Sequence, residues 1–421
     1  MEHETSDSLT VSSASNDGKG CACGRDKILV TLVLMLAGGG IAGLQLLRDP
    51  SDVAQAGPAA TAPVKALDIV QLRGIALQIQ ADDNHPFDKY IKEIAATGAN
   101  SICMVVSGMF QNCGSSSIYI DVRKTPSPKR MKELINLAHE QGLKVILMPI
   151  ILPSRPREDE WRGKIDPTKD KNSWDDWWED YTNYIMYWAY LAGEAKVDVF
   201  MVGSELVSVE PQTDRWVKLI EQVRRAYGGL LSYSSNWDHY KPVKFWDKLD
   251  IVGMTTYYDL CGDKQPTLEV MLESWKQIKK DLLEWQATVN RPILFTEVGW
   301  PNQETAAKYP WDYYRATDKP APELQKQCFE SFFKTWADEE GMAGYVVWEW
   351  RNWDMPTDPK RDTTFCPVDK PALDIIREYL VRKNGLVTDR KTASKPASEP
   401  AAEAGKGVAK ANGDEMEGSR Q

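Results

Sequence analysis

The chain is poor in residues that hold metals. Its four histidines, His3, His85, His139 and His239, stand far apart, and its seven cysteines show no zinc-type spacing. This weighs against metal-dependent hydrolysis, and neither a metal nor a cofactor is expected. An excess of basic residues is also missing. With a formal net charge of −10, the chain carries no electrostatic footprint for nucleic acid. The first strand-like run ends Leu77-Gln78-Ile79-Gln80, without the glycine-rich phosphate loop that a doubly wound nucleotide-binding sheet would carry there. Long apolar runs are confined to one place, residues 28–47, where about 20 positions pass without a charge.

That run follows Arg25 and Lys27, a pattern that predicts a single membrane anchor with a cytoplasmic N-terminus and the remainder outside the cytoplasm. The alternative is a signal peptide cleaved at Ala54-Gln55-Ala56, giving a secreted product. Against it, the run is long for a signal core and the cleavage site lies far beyond its end. Residues 1–27 read as a polar tail, 48–66 as an Ala/Pro-rich linker, 67–388 as one folded domain and 389–421 as a disordered tail without an aromatic residue. Cys21 and Cys23 fall on the cytoplasmic side and should be reduced. The other five, Cys103, Cys113, Cys261, Cys328 and Cys366, are odd in number, so at least one is a free thiol. A monomer is expected.

Within the domain, β-type apolar runs alternate with segments of helical spacing. Strands are predicted over residues 69–80, 99–109, 143–152, 198–204, 230–235, 251–257, 292–296 and 344–350. Helices are predicted over 87–97, 128–141, 174–194, 214–227, 268–286, 323–339 and 372–382, with only a short helical stretch near 243–248 after the fifth strand. Eight βα units over about 320 residues predict an α/β fold, the (β/α)8 TIM barrel, whose active site gathers at the C-terminal ends of the strands.

Two of these runs deliver a glutamate to the end of an otherwise apolar strand: Glu205 after the fourth and Glu297 after the seventh. A carboxylate in such a place is unfavourable unless it is hydrogen-bonded or used. On a barrel both face one mouth, which is the arrangement glycoside hydrolysis requires. Retaining enzymes hold their two carboxyls roughly 5–5.5 Å apart, one as nucleophile and one as acid then base. All 16 tryptophans fall between Trp161 and Trp353. Many must be core, and others can floor or wall a sugar site with a flat apolar face.

The set of motifs resembles glycoside hydrolase family 113, known for retaining β-mannan-degrading barrels, over about residues 69–380. The most specific pieces are Trp161-Arg162-Gly163 with Ile165 behind it, the helix from Trp174 to Tyr181 leading into residues 200–206, residues 294–300, residues 344–350, and Phe365-Cys366-Pro367 with Lys370-Pro371-Ala372. The resemblance implies that Glu205 is the acid/base and Glu297 the nucleophile. It also implies an oligo- or polysaccharide substrate and endo-β-1,4-mannanase-like action. A β-glucanase, an exo-β-mannosidase and a non-catalytic surface glycan-binding barrel are the alternatives. Tyr257 is the candidate donor to the nucleophile, with Tyr258 as the alternative, because neighbours on a strand point opposite ways. Trp348 and Trp350 share a strand face by the same period, and one of them should floor the cleavage subsite. Asn236 and Trp237 after the fifth strand, and Trp161 on the third loop, are candidate walls; His239 is a weaker one. Two departures from the family stand beside the acids. Ser204 occupies a position where much of the clan has Asn, and Trp300 stands where the family usually shows tyrosine.

Overall fold

Strand alternation builds the centre of the molecule. Leu72 and Ala76 of β1, Cys103 and Val105 of β2, Ile146 and Met148 of β3, and Val199 and Met201 of β4 fill one buried cluster, while their sequence neighbours Ile75, Ile102, Leu147 and Phe200 fill another. Such two-faced burial is the signature of parallel strands wrapped by helices. The computed structural model describes residues 70–312, 319–351 and 361–381. Its strands are β1 (Leu72–Gln78), β2 (Ser101–Phe110), β3 (Lys144–Pro153), β4 (Val199–Ser204), β5 (Leu230–Ser235), β6 (Ile251–Thr255), β7 (Ile293–Val298) and β8 (Met342–Val347). They close in sequence order into one parallel barrel, a TIM barrel as the sequence predicts.

The helices are α1 (Phe87–Ala96), α2 (Pro128–Glu140), α3 (Trp174–Glu194), α4 (Thr213–Ala226), α5 (Leu268–Val289), α6 (Pro322–Trp336) and α7 (Ala372–Leu380). Local chemistry sets several of their ends. The Ser127, Ser173 and Thr267 side chains each accept from a backbone N–H in the first turn of α2, α3 and α5, and Asn290 closes α5 in a left-handed conformation. After β5 there is only a 3-10 turn, Trp246–Lys248.

Three of the strand ends that differ from the sequence reading bear on the site. β6 stops at Thr255, so Tyr257 lies beyond it; β7 runs on to Val298 and includes Glu297; β8 stops at Val347, so the period of two does not carry Trp348 and Trp350 to one face. Ladder irregularities fall where the acids stand. The β4–β5 pairing slips between Met201 and Ser204, and the β6–β7 pairing between Met254↔Phe295 and Thr255↔Glu297. A bulge at a barrel rim re-aims the side chain beside it. Strict alternation would put Glu297 on the helix-facing side with Ile293 and Phe295; the slip turns it to the mouth.

Cys103, Cys113, Cys261, Cys328 and Cys366 are all buried free thiols. Among the described residues no helix is long and apolar enough to cross a membrane. The run 28–47, the linker 48–66, the tail 389–421, Cys21, Cys23 and Trp353 lie outside the described residues.

Candidate active site

Glu297 is 4% exposed, and the Tyr257 hydroxyl donates to its Oε2 at 2.6 Å. Tyr258 turns away, donating to the Trp237 carbonyl and packing edge-on against Trp275. Glu205 follows β4 with φ +54°, a left-handed conformation that is uncommon outside glycine. Its Oε2 accepts from Arg162 Nη2 at 2.5 Å, and its backbone N–H donates to the Ser234 carbonyl at 2.8 Å. Arg162 comes from the short turn Arg162–Lys164 after β3, where Gly163 lies against the Trp161 ring: a Cβ there would sit 2.3 Å from that indole.

The two carboxyls feel each other. Burial and then the negative charge of Glu205 push Glu297 up to about 8, against the Arg162 charge and the Tyr257 hydrogen bond. Burial also raises Glu205, opposed by Arg162 and helped by Asp238. Such a pair titrates as a unit and retains one proton near neutral pH. That is the state in which one carboxyl can donate while the other attacks.

A third carboxyl shares the mouth. Glu349, directly after Trp348, is 6% exposed, accepts from Gln78 Nε2 at the end of β1, and adds to the upward push on Glu297. Gln80 in turn donates to Gln78 at 2.6 Å. Trp348 is half-buried on the interior cluster that fills the barrel, with its backbone N–H donating to Val298 at 2.8 Å. Trp237 is also half-buried, lies 5.7 Å from Trp311 in a near-parallel stack, and its backbone N–H donates to the Thr255 hydroxyl at 3.1 Å. Ser204 is 2% exposed and its hydroxyl finds no hydrogen-bond partner among the described residues; the same holds for Asn236 Oδ1.

Two tryptophans named from sequence are not at the mouth. Trp350 is 3% exposed and its indole donates to Glu93 of α1 at 3.1 Å, so it fills the space between barrel and helix. Trp300 is fully buried, edge-on to Trp275 and Phe329, in the layer between β7 and α6. A tryptophan there reshapes the core behind Glu297 rather than a sugar subsite. His239 sits in the loop after β5, where its backbone N–H donates to the Asn236 carbonyl at 3.0 Å.

Sequence reasoning missed Glu349, Gln78 and the contact of Arg162 with Glu205. Glu349 carries the same signal that singles out Glu205 and Glu297, a carboxylate in an apolar β-run, but two flanking tryptophans mask it. Gln78 is a polar end to an apolar strand, a weaker version of that signal.

The family model for glycoside hydrolase family 113 matches residues 83–370. A solved family 113 β-mannanase from Alicyclobacillus acidocaldarius, in complex with ManMIm, is 26% identical, with a TM-score of 0.66 over 75% of this chain and 99% of that one. A second solved structure, a family 113 β-1,4-mannanase, is 22% identical with a TM-score of 0.66, covering 74% of this chain and 99% of that one. A Faecalibacterium prausnitzii β-glucuronidase shares the fold more distantly, at 13% identity and a TM-score of 0.52, over 76% of this chain and 50% of that one. No curated protein matches significantly.

Proposed function

The chain belongs to glycoside hydrolase family 113, a retaining family, and on that premise we propose that it is an endo-β-1,4-mannanase working by double displacement, with Glu297 as nucleophile and Glu205 as acid/base. The observation that carries the reading is the pair itself: two carboxyls at the ends of β4 and β7, with the charge of Glu205 helping to raise the buried Glu297, one donated to by a tyrosine and one by an arginine. In the first step Glu297 bonds to the anomeric carbon as the glycosidic C–O bond breaks, and Glu205 gives its proton to the departing oxygen. In the second, Glu205 takes a proton from water, the water oxygen bonds to that carbon, and the Glu297–carbon bond breaks. The Tyr257 hydrogen bond favours an ionised Glu297 during attack.

Trp348 supplies the apolar floor of the cleavage subsite, and Glu349 with Gln78 the acceptors for hydroxyls on its sugar. Glu349→Gln should therefore lower kcat/KM on β-1,4-mannooligosaccharides by about 10²-fold, the loss expected for a charge-assisted hydrogen bond to substrate. Initial rates across a mannose series check it, and a change under threefold removes Glu349 from the subsite. The apolar run at 28–47 supports a hydrolase acting outside the cytoplasm.

The deciding experiment is trapping with a 2-fluoro mannosyl donor followed by peptide mass spectrometry. A label on the Glu297 peptide, together with a first-formed β product from mannooligosaccharides, supports the reading. A label elsewhere, or an α first product, overturns it. Product sizing on mannan separates endo cleavage, which yields oligosaccharides, from exo cleavage, which yields only mannose.

A further inference from the structure

Beneath Glu205 lies a second buried acid that the mechanism does not use. Glu210 is 3% exposed, in the turn between β4 and α4. Its Oε1 accepts from the Tyr233 hydroxyl at 2.8 Å, and its Oε2 has no hydrogen-bond partner among the described residues. The Tyr233 hydroxyl accepts in turn from the backbone N–H of Leu206 at 2.9 Å. Leu206 is the residue after Glu205. The backbone N–H groups of Val209 and Glu210 close the turn onto the Leu206 carbonyl, at 2.8 and 3.0 Å.

These bonds form a bracket around one residue. On one side the Glu205 N–H is held by the Ser234 carbonyl, and on the other the Leu206 N–H is held by Tyr233, the neighbour of Ser234 on β5. Between the two anchors Glu205 adopts φ +54°, a conformation that a non-glycine residue keeps only when its surroundings over-determine it. Tyr233 is itself rigid: its fully buried ring lies within 5.4 Å of both Trp216 and Phe245. Packing alone would be served by an apolar side chain at 210, without the penalty of a buried polar atom lacking a partner.

We propose that Glu210 and Tyr233 are positioning residues for the acid/base: they pin the Leu206 amide, and so hold the Glu205 carboxyl where it can reach the leaving-group oxygen. This rests on the assignment of Glu205 as acid/base. Burial, with Glu205 and Asp238 nearby, pushes the Glu210 carboxyl up to about 7, so it is largely a neutral acid below that pH and the bracket adds little charge to the site.

The test separates proton delivery from general damage. Tyr233→Phe keeps the ring and removes the tether. On an aryl β-mannoside with a poor leaving group, kcat/KM should fall about 10- to 100-fold, part of the 10²–10⁴ supplied by general acid catalysis. On 2,4-dinitrophenyl β-mannoside, whose departure needs no proton, kcat/KM should stay within about threefold while kcat falls, because the second step still needs the base. Glu210→Gln keeps an acceptor for Tyr233 and should stay close to the parent on both substrates. Equal losses on both substrates for Tyr233→Phe would overturn the proposal, as would no loss on either, or a Glu210→Gln variant as impaired as Tyr233→Phe. If Tyr233→Phe does not fold, Glu210→Leu takes its place with the same readout. If Glu205→Ala itself lacks the leaving-group dependence, the role of Glu205 fails; if only Tyr233→Phe lacks it, the bracket fails alone.

Discussion

Glu297→Gln should lower turnover of β-1,4-mannooligosaccharides by at least about 10⁴-fold and, at pH 8, should melt at a higher temperature than the parent enzyme. The activity loss follows from chemistry. An amide cannot form and release a glycosyl ester, and the remaining Glu205, Arg162 and Tyr257 have no nucleophile to assist. The gain in stability follows from the electrostatics of the mouth. Burial, Glu205 and Glu349 push Glu297 up to about 8, while the unfolded chain leaves it near its ordinary value of 4.5. Between those values the Glu205–Glu297 pair of the folded protein keeps one proton that the unfolded chain has released. The stabilisation is therefore full below the unfolded value and is lost as pH rises through the folded one. At pH 8 the parent holds clustered carboxylates that a neutral glutamine relieves, a difference on the order of a few kcal/mol. Thermal melts of both proteins from pH 5 to 8.5 check this, with the gap widening towards alkaline pH. A variant that keeps more than 1% of activity would remove Glu297 from the nucleophile role. A gap that narrows with pH would show that the mouth is not strained by like charge.

Most of this architecture is legible in the sequence because barrel physics writes itself in long apolar periods. Each of the eight predicted strands overlaps an observed one, and α3 matches residue for residue at Trp174–Glu194, where Ser173 caps an acidic first turn. Strand ends are less legible, and the site lives at strand ends. The period of two breaks at the β6–β7 slip, so a strict reading of alternation would send Glu297 outward; it is the ladder that turns it in. Beyond Val347 the same rule wrongly pairs Trp348 with Trp350, because the regular strand ends there and the Trp350 indole is drawn to Glu93 on α1. Trp300 misleads for a different reason. It stands three residues after Glu297, but its side chain points into the layer where Trp275 and Phe329 pack. Arg162 and Glu210 are invisible as partners of Glu205 and Tyr233 because those contacts close only when β3, β4 and β5 lie side by side. A carboxylate interrupting an apolar strand is the signal that survives all of this, and applied evenly it picks out Glu349 as well as the pair.

The second large effect is expected at Glu205. Glu205→Ala should lose about 10²- to 10⁴-fold in kcat/KM on substrates with poor leaving groups and far less on 2,4-dinitrophenyl β-mannoside. Azide should restore kcat on the latter, giving a β-mannosyl azide, since a small anion can enter the space left by the carboxyl and attack without a base. The pH profile should change in a defined direction. In the parent, kcat/KM reports the free enzyme, and the pair must hold one proton, so activity falls when the second carboxyl ionises at high pH. Without Glu205 that alkaline limb has no group to set it. The negative charge of Glu205 is also one of the causes that raise Glu297, so its removal should move the acid limb down and keep Glu297 ionised to lower pH. Arg162 reinforces the shift: released from its 2.5 Å contact with Glu205, its positive charge still acts on Glu297, which it favours in the ionised form. An acid limb that moves up, or an azide product of α configuration, would reverse the two roles or break the double-displacement scheme. Retention in that product, with the limb moved down, would place the proton on Glu205 and the covalent bond on Glu297.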